Sequence, residues 1–219
     1  HFKLYYVKIF IISTLLLMKI CIAISTMSSG GAERNASILA NYFSNNNKVS
    51  ILTLQKYKKS FYKIDKKIKI HNLNLIKNNN NLVSKFINFI KRLYFINLQL
   101  RRDKPEILIS FLETTNITVL IASFFVGSIK KRIISDRNDP RRSDRPFLIF
   151  LLKFIFYRFA DHIVLQTKKI RENYNYLKKK RIEIIPNTIS KNLYFKKKYN
   201  FSKNFKLISV GRLEYQKGY

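Results

Sequence analysis

The chain is short and strongly basic. It has 219 residues, with 43 lysines and arginines against 12 aspartates and glutamates, which give a formal net charge of +31. This length suits one α/β domain, or one domain and the opening of a second. The single cysteine, Cys21, excludes an intrachain disulfide and favours a reducing, cytoplasmic compartment.

The positive charge would attract polyanions such as nucleic acid or an anionic membrane. Most of the basic residues are lysines spread among isoleucines and asparagines, with no zinc-ligand pattern, RNP-like segment or basic heptad array. We therefore expect no nucleic-acid partner, and we keep an anionic membrane surface as an expected partner. No metal site and no cofactor is expected.

The first 24 residues allow two interpretations. Residues 4–24 are mostly apolar, as in a signal anchor, although Lys8 and Lys19 interrupt them. Alternatively, Met18 is the true start, residues 1–17 are an upstream extension, and the apolar run that follows is the first core strand. We favour the second interpretation because a βα unit needs this strand inside the protein rather than in lipid.

Short apolar runs alternate with amphipathic stretches along the rest of the chain. This alternation is typical of an α/β protein with a Rossmann-like parallel sheet and helices on both faces. The predicted strands are residues 19–25, 49–54, 68–73, 107–111, 132–135, 162–165, 182–185 and 206–210. Residues 187–203 lack periodicity and form the predicted linker between two domains.

The first strand breaks at Gly30 and Gly31, and an apolar helical stripe begins at Ala32. A strand that ends at glycines and restarts as a helix directs backbone N–H groups and the positive end of a helix dipole at one point, which suits phosphate. A branched residue at position 31 would fill the ligand's space and resist a positive φ. The alternative is a tight turn whose glycines only let the chain reverse.

Two helical segments carry strong apolar patterns. The first has one face that we expect to be core, formed by Leu82, Phe86, Phe89, Leu93, Ile96 and Leu100. The second, residues 145–159, is apolar nearly all round but too short for a bilayer, which takes about 20 residues. We favour a buried helix there. The alternative is a helix with one side on a membrane interface, flanked by Arg141, Arg142, Arg145 and Arg158.

Polar residues follow two of the predicted strands. Arg137, Asn138 and Asp139 come after strand 132–135, and Glu113 comes after strand 107–111. The carboxyl ends of parallel strands are where α/β proteins bind ligands, so these residues are candidates for binding a hydroxyl or a phosphate group. The alternative for the first group is an Asp–Arg ion pair that only fixes a loop.

Five short stretches occur in a recognisable order: SSGGAER at 28–34, ISFL at 109–112, ISDRNDP at 134–140, ADHIVLQT at 160–167, and IPN at 185–187 leading to VGRL at 210–213 and QKG at 216–218. In this order they resemble the N-terminal half of a GT-B-fold retaining glycosyltransferase. The family in question is the large glycosyltransferase family 4, or group 1, of capsule, lipopolysaccharide and lipid-linked oligosaccharide synthesis.

The resemblance implies two Rossmann-like domains that face each other across a cleft. Residues 18–186 would be the N-terminal, acceptor-side domain, and residues 204–219 would begin a truncated donor-binding domain. Arg212 and Lys217 match the basic pair that binds the donor diphosphate, and Gly30 and Gly31 match the loop that approaches the same diphosphate. The family's Glu-x7-Glu motif would fall beyond Tyr219, so no catalytic residue is assigned and the chain alone is expected to be inactive.

Two departures from the family pattern are visible. The histidine that many relatives carry near the acceptor site is not evident, and Thr188 stands where glycine is commoner after Asn187.

The implied function is transfer of a hexose-type sugar from a nucleotide-diphosphate donor to a saccharide or polyprenyl-linked acceptor. The implied place is the inner face of the cell membrane, in the cytoplasm. A non-enzymatic, basic membrane-surface protein is the alternative. It explains the charge and residues 145–159, but neither the glycine pair nor Arg212 and Lys217.

Overall fold

The computed structural model describes residues 17–75, 81–137, 147–177 and 181–187. Within these ranges seven strands form one parallel sheet in the order β3-β2-β1-β4-β5-β6-β7. The strands are β1 (Lys19–Ile24), β2 (Lys48–Thr53), β3 (Lys69–Asn72), β4 (Ile107–Phe111), β5 (Lys131–Ser135), β6 (His162–Leu165) and β7 (Ile182–Ile184). The predicted fold class is confirmed, and these strands begin and end within one residue of the predicted positions. The predicted strand 206–210 lies outside the described residues.

Helices cover both faces of the sheet, as predicted. They are α1 (Gly31–Phe43), α2 (Leu82–Asp103), α3 (Glu113–Ala122), α4 (Phe147–Phe156) and the short α5 (Lys168–Arg171). Helix α1 packs on the face that carries Ile20 and Ile22, whereas α2 and α3 pack on the face that carries Cys21 and Ala23. Near-continuous apolar strands follow from burial on both faces.

The strand order reverses direction at β1 and β4. These two strands are neighbours in the sheet, with Ile20 beside Ile107 and Ala23 beside Ser110, yet their following helices lie on opposite faces. The chain therefore leaves a crevice between the carboxyl ends of β1 and β4, which is where open α/β sheets bind ligands. The predicted glycine loop and Glu113 both lie at this crevice.

The predicted core stripe of helix α2 is wrong at Phe86, and Phe89 is only half-buried. Ile96 and Leu100 are fully buried against β1 and β4, and Leu93 is partly buried beside them. Phe86, however, is 66% exposed, and Val83, Ile87 and Ile90 are exposed as well. The helix is long enough to extend past the elements that cover its C-terminal half, which are α3 and the sheet.

The prediction of a buried helix at residues 145–159 is also wrong. Helix α4 exposes most of its large apolar side chains, namely Phe147, Leu148, Phe150, Leu151 and Ile155. Its one buried residue is Lys153. Among the described helices none has the length and apolar character needed to cross a bilayer.

Candidate functional site

The loop after β1 forms one side of the crevice. Gly30 has an extended backbone at φ 170, and α1 begins at Gly31 with no side chain capping its N-terminus. The Tyr62 hydroxyl donates to the Gly30 carbonyl at 3.0 Å and accepts from the Gly30 N–H at 3.4 Å. Tyr62 belongs to the β2–β3 connection, so this connection holds the glycine loop in place.

The two glycines differ in what surrounds them. A Cβ at Gly30 would collide with the carboxylate of Glu33, whereas a Cβ at Gly31 would meet open space. Neither glycine has a φ in the left-handed region, so the expected need for a positive φ at position 31 is wrong. What remains at Gly31 is free volume beside a helix N-terminus, which suits the close approach of an anion.

Arg137 is the second residue after β5, at the same carboxyl edge of the sheet. Its guanidinium carbon is 5.3 Å from the centre of the Phe111 ring, and its Nε donates to the Ser135 hydroxyl at 3.3 Å. A further N–H donates to the side-chain oxygen of Asn187. The same oxygen accepts from two more amides at this edge, Asn35 of α1 and Gln166 after β6.

Beneath this polar edge lies a buried ionic cluster, which we call the Lys153 cluster: Glu113, Asp136, Lys153, Tyr157 and Tyr174. The Lys153 ammonium is 2.7 Å from Asp136 Oδ2 and 3.0 Å from Glu113 Oε1. The hydroxyls of Tyr157 and Tyr174 donate to Asp136 Oδ2 at 3.0 and 2.6 Å. Every charge in the cluster thus meets an opposite charge, although Asp136 Oδ1 is buried without a hydrogen-bond partner among the described residues.

The two tyrosines remain neutral donors. Burial, followed by the negative charge of Asp136, raises the pKa of Tyr157 and of Tyr174 well above the usual value for tyrosine. Both rings also lie within reach of the ammonium, at 5.4 Å and 4.8 Å from Lys153 Nζ to the ring centres. Cation–π attraction adds to the ionic contacts.

Sequence reasoning missed Asn116 and Lys153. Asn116 is fully buried and accepts from Ser110, while its amide donates to the Ser135 carbonyl and the Tyr157 hydroxyl. It therefore joins the ends of β4 and β5 to the Lys153 cluster. For Lys153 a signal existed, because it is the one charged residue in the otherwise apolar run of α4. A lone lysine there indicates a buried partner.

Leu112, between β4 and α3, has a backbone conformation that favours glycine, at φ 73 and ψ 139. Such a conformation costs about 1–3 kcal/mol in a non-glycine residue and persists where the surroundings fix it. Here the Leu112 N–H donates to the Ser135 carbonyl, and its own carbonyl accepts from the Asn116 N–H. The strained peptide turns the chain so that Glu113 points into the Lys153 cluster.

Known proteins with similar sequences and structures indicate which fold and reaction class this site resembles. No family model matches the chain. The chain is 28% identical over 202 residues to a Campylobacter jejuni α-1,4-N-acetyl-D-galactosaminyltransferase. The name of that enzyme gives a diphosphoundecaprenol-linked acceptor. The matched region covers 92% of this chain and 54% of that protein. The chain is also 31% identical over 150 residues to an uncharacterized glycosyltransferase of Methanocaldococcus jannaschii, over 59% of this chain and 37% of that protein.

Among solved structures, the lipopolysaccharide outer core galactosyltransferase WaaB superposes with a TM-score of 0.59 at 18% identity, over 79% of this chain and 46% of that one. The resemblance to the GT-B glycosyltransferases is confirmed. UDP-N-acetylglucosamine 2-epimerase from Rickettsia bellii shares the fold at a TM-score of 0.53, 12% identity, and 76% and 44% coverage. The structural likeness therefore establishes the fold, and the sequence relatives point to glycosyl transfer. The chain spans about half the length, or less, of the curated relatives it matches.

Not all of the predicted site residues lie within the described structure. Gly30, Gly31, Glu113 and Arg137 come together at the carboxyl edge of the sheet. Glu113 is buried and paired with Lys153, whereas Arg137 lies nearer the surface. The other four, Asn138, Asp139, Arg212 and Lys217, lie outside the described residues, as does the linker beyond Asn187. Their roles stay predictions, as do the domain boundaries.

Proposed function

We propose that the protein to which this chain belongs is a retaining glycosyltransferase that moves a sugar from a nucleotide-diphosphate donor to a saccharide or lipid-linked acceptor. The observation that carries this proposal is the polar edge at the carboxyl ends of the strands, where Asn187 accepts hydrogen bonds from Asn35 of α1 and from Arg137. Homology to two glycosyltransferases supports the reaction class. A lipid-linked acceptor is in keeping with the name of the Campylobacter relative.

The donor diphosphate would be bound from both sides of the cleft. Gly30 and Gly31 would approach it with their backbone, because no side chain fills the space at Gly31. Arg212 and Lys217 would supply an arginine fork and a lysine point charge from the second domain. These groups would stabilise the nucleotide diphosphate as it leaves, with no cofactor and no metal required in the proposal.

The acceptor would lie nearer the ends of β4 and β5. Arg137 would contact an acceptor hydroxyl or phosphate, Asn138 and Asp139 would follow it around the loop, and Glu113 would contribute its carboxylate from the floor of the site. No protein nucleophile is assigned, so proximity of donor and acceptor and stabilisation of the leaving group would supply most of the rate.

We also propose that the protein works in the cytoplasm, attached to the inner face of the membrane. Helix α4 presents Phe147, Leu148 and Phe150 to solvent, and Arg158 lies at its C-terminal end. Arg141, Arg142 and Arg145 precede the helix in the sequence. An apolar face bordered by cations is the pattern of a helix that lies in a membrane interface.

Calorimetry with UDP, GDP and ADP on the full-length protein tests the donor half of this proposal. Charge-assisted contacts contribute about 1.5–3 kcal/mol each, so Lys217→Ala should lower the affinity for the nucleotide about tenfold or more. The exposed Lys131, at the opposite edge of the sheet, provides the control variant Lys131→Ala. Unchanged affinity in a folded Lys217→Ala protein would remove Lys217 from the site.

The glycine loop allows a second, matched comparison. Gly31→Val should abolish transfer and leave the fold largely intact, because the new side chain would enter the ligand's space and its Cβ would meet no protein atom within 4 Å. Gly127 is exposed, also opens onto free space, and lies at the far edge of the sheet, so Gly127→Val is the control. Full turnover by Gly31→Val would show that the loop is only a connector.

A further inference from the structure

Lys153 occupies an unusual place for a lysine. Helix α4 exposes five of its large apolar side chains, whereas its one charged side chain, Lys153, is only 4% exposed. Burying an ammonium is costly unless carboxylates and hydrogen bonds surround it. A leucine at this position would leave the carboxylates of Glu113 and Asp136 buried without a countercharge.

The partners of Lys153 come from the two strand ends that form the candidate acceptor site. Glu113 is the first residue of α3 after β4, and Asp136 is the first residue after β5. Lys153 thus ties α4 to both strand ends at once. The two tyrosine hydroxyls complete the shell around Asp136 Oδ2.

Asp136 directly precedes Arg137 in the chain. Its carboxylate is held by Lys153 and two hydroxyls, and its backbone N–H donates to the Val164 carbonyl at 3.1 Å. With residue 136 fixed at both backbone and side chain, the Arg137 side chain starts from a defined position over Phe111. Loosening Asp136 would therefore move the guanidinium.

We propose that Lys153 is a positioning residue for acceptor binding: through Asp136 it fixes Arg137 at the carboxyl edge of the sheet. The inference rests on the proposed function, in which Arg137 contacts the acceptor. Lys153 also connects this site to α4, the helix proposed to lie on the membrane. A displacement of about 1 Å in a positioning contact is enough to cost a large factor in kcat/KM, which here would enter through the acceptor KM.

The test compares Lys153→Gln, Lys153→Arg and the exposed control Lys131→Gln in the full-length enzyme. Gln keeps two hydrogen-bond donors but loses the charge, and Arg keeps the charge. We expect Lys153→Gln to raise the acceptor KM about tenfold or more while nucleotide affinity and kcat per folded molecule stay near wild type, with partial recovery in Lys153→Arg.

A merely structural residue would lower the folded fraction, which reduces apparent kcat and leaves KM unchanged. That result, or no change, overturns the proposal.

A readout that needs no turnover separates this inference from the proposed function. The ¹⁵Nε–¹Hε signal of Arg137 should show slow hydrogen exchange in the wild-type protein, faster exchange in Lys153→Gln, and recovery in Lys153→Arg. If Lys153→Gln does not fold, Tyr174→Phe removes one bond to Asp136 without changing charge and should act in the same direction. An unchanged Arg137 signal in either folded variant overturns the positioning role. If Lys153→Gln alters the hydrogen exchange of Arg137 but the wild-type enzyme transfers no sugar, the positioning role stands and the proposed function is refuted.

Discussion

Tyr157 and Tyr174 show how single residues make the buried carboxylate of Asp136 tolerable. Each hydroxyl donates to Asp136 Oδ2, and neither can ionise without placing a second negative charge beside the first. Burial also disfavours ionisation of Cys21 in the core, where it raises the pKa of the thiol to about 12. All three groups are therefore held protonated in the folded protein.

This difference between folded and unfolded protein predicts a loss of stability in alkali. The unfolded chain releases these protons near pH 9.0 for cysteine and 10.0 for tyrosine, while the folded protein retains them. The free energy of unfolding should therefore be unaffected by these groups below pH 9 and fall above it. Each group that is ionised in the unfolded chain but protonated in the folded protein lowers the free energy of unfolding by about 1.4 kcal/mol per pH unit.

Urea unfolding between pH 8 and pH 11 measures the effect. Tyr174→Phe should flatten the decline above pH 10, whereas Tyr42→Phe, at an exposed position, should not. Equal slopes in wild type and Tyr174→Phe would contradict the assignment.

At the scale of elements, α2 shows the limit of a periodic pattern. Its apolar stripe runs the length of the helix, as predicted, but only the C-terminal half meets the sheet and α3. Periodicity specifies which side of a helix is apolar. How far a neighbour extends along that side is decided by the packing of other elements.

The two halves of the stripe should respond differently to truncation. Leu100→Ala should cost about 2–5 kcal/mol of unfolding free energy, because it opens a cavity beneath β1 and β4. Phe86→Ala should change stability by less than about 0.5 kcal/mol, since its side chain is largely exposed. Urea denaturation of both variants measures the difference. A large loss in Phe86→Ala would mean that a partner covers this half of α2.

At the scale of the whole molecule, charge and apolar exposure act together. The chain carries a net charge of +31, and α4 adds a row of exposed aromatic and aliphatic side chains. Basic residues near an anionic surface contribute about 1 kcal/mol each, and physiological salt screens them over about 8 Å. Several such charges with an apolar face suffice for reversible attachment.

We therefore expect the chain to sediment with anionic vesicles at low salt and to be released at high salt. Replacing Phe147, Leu148 and Phe150 by serine should weaken binding, whereas Phe61→Ser, at an exposed position in the β2–β3 connection, should not. A chain that begins at Met18 should bind like the longer one. Salt-resistant binding that is lost with residues 1–17 would instead favour an N-terminal anchor.

The sequence by itself determined the fold class, the strands to within one residue, and the glycine loop at the start of α1. These features are local, because apolar runs, their spacing and glycine pairs act over a few residues. Arg137 and Glu113 could also be placed at the carboxyl edge, since parallel strands end on the same side.

Only the tertiary structure decided which polar residues meet. Lys153 lies 40 residues from Glu113, and Asn35 lies 152 residues from Asn187, so no local pattern links either pair. The same holds for the exposed faces of α2 and α4, which an apolar sequence alone would bury. Burial depends on what packs alongside, and the energy of a buried charge depends on partners that only the folded chain brings within reach.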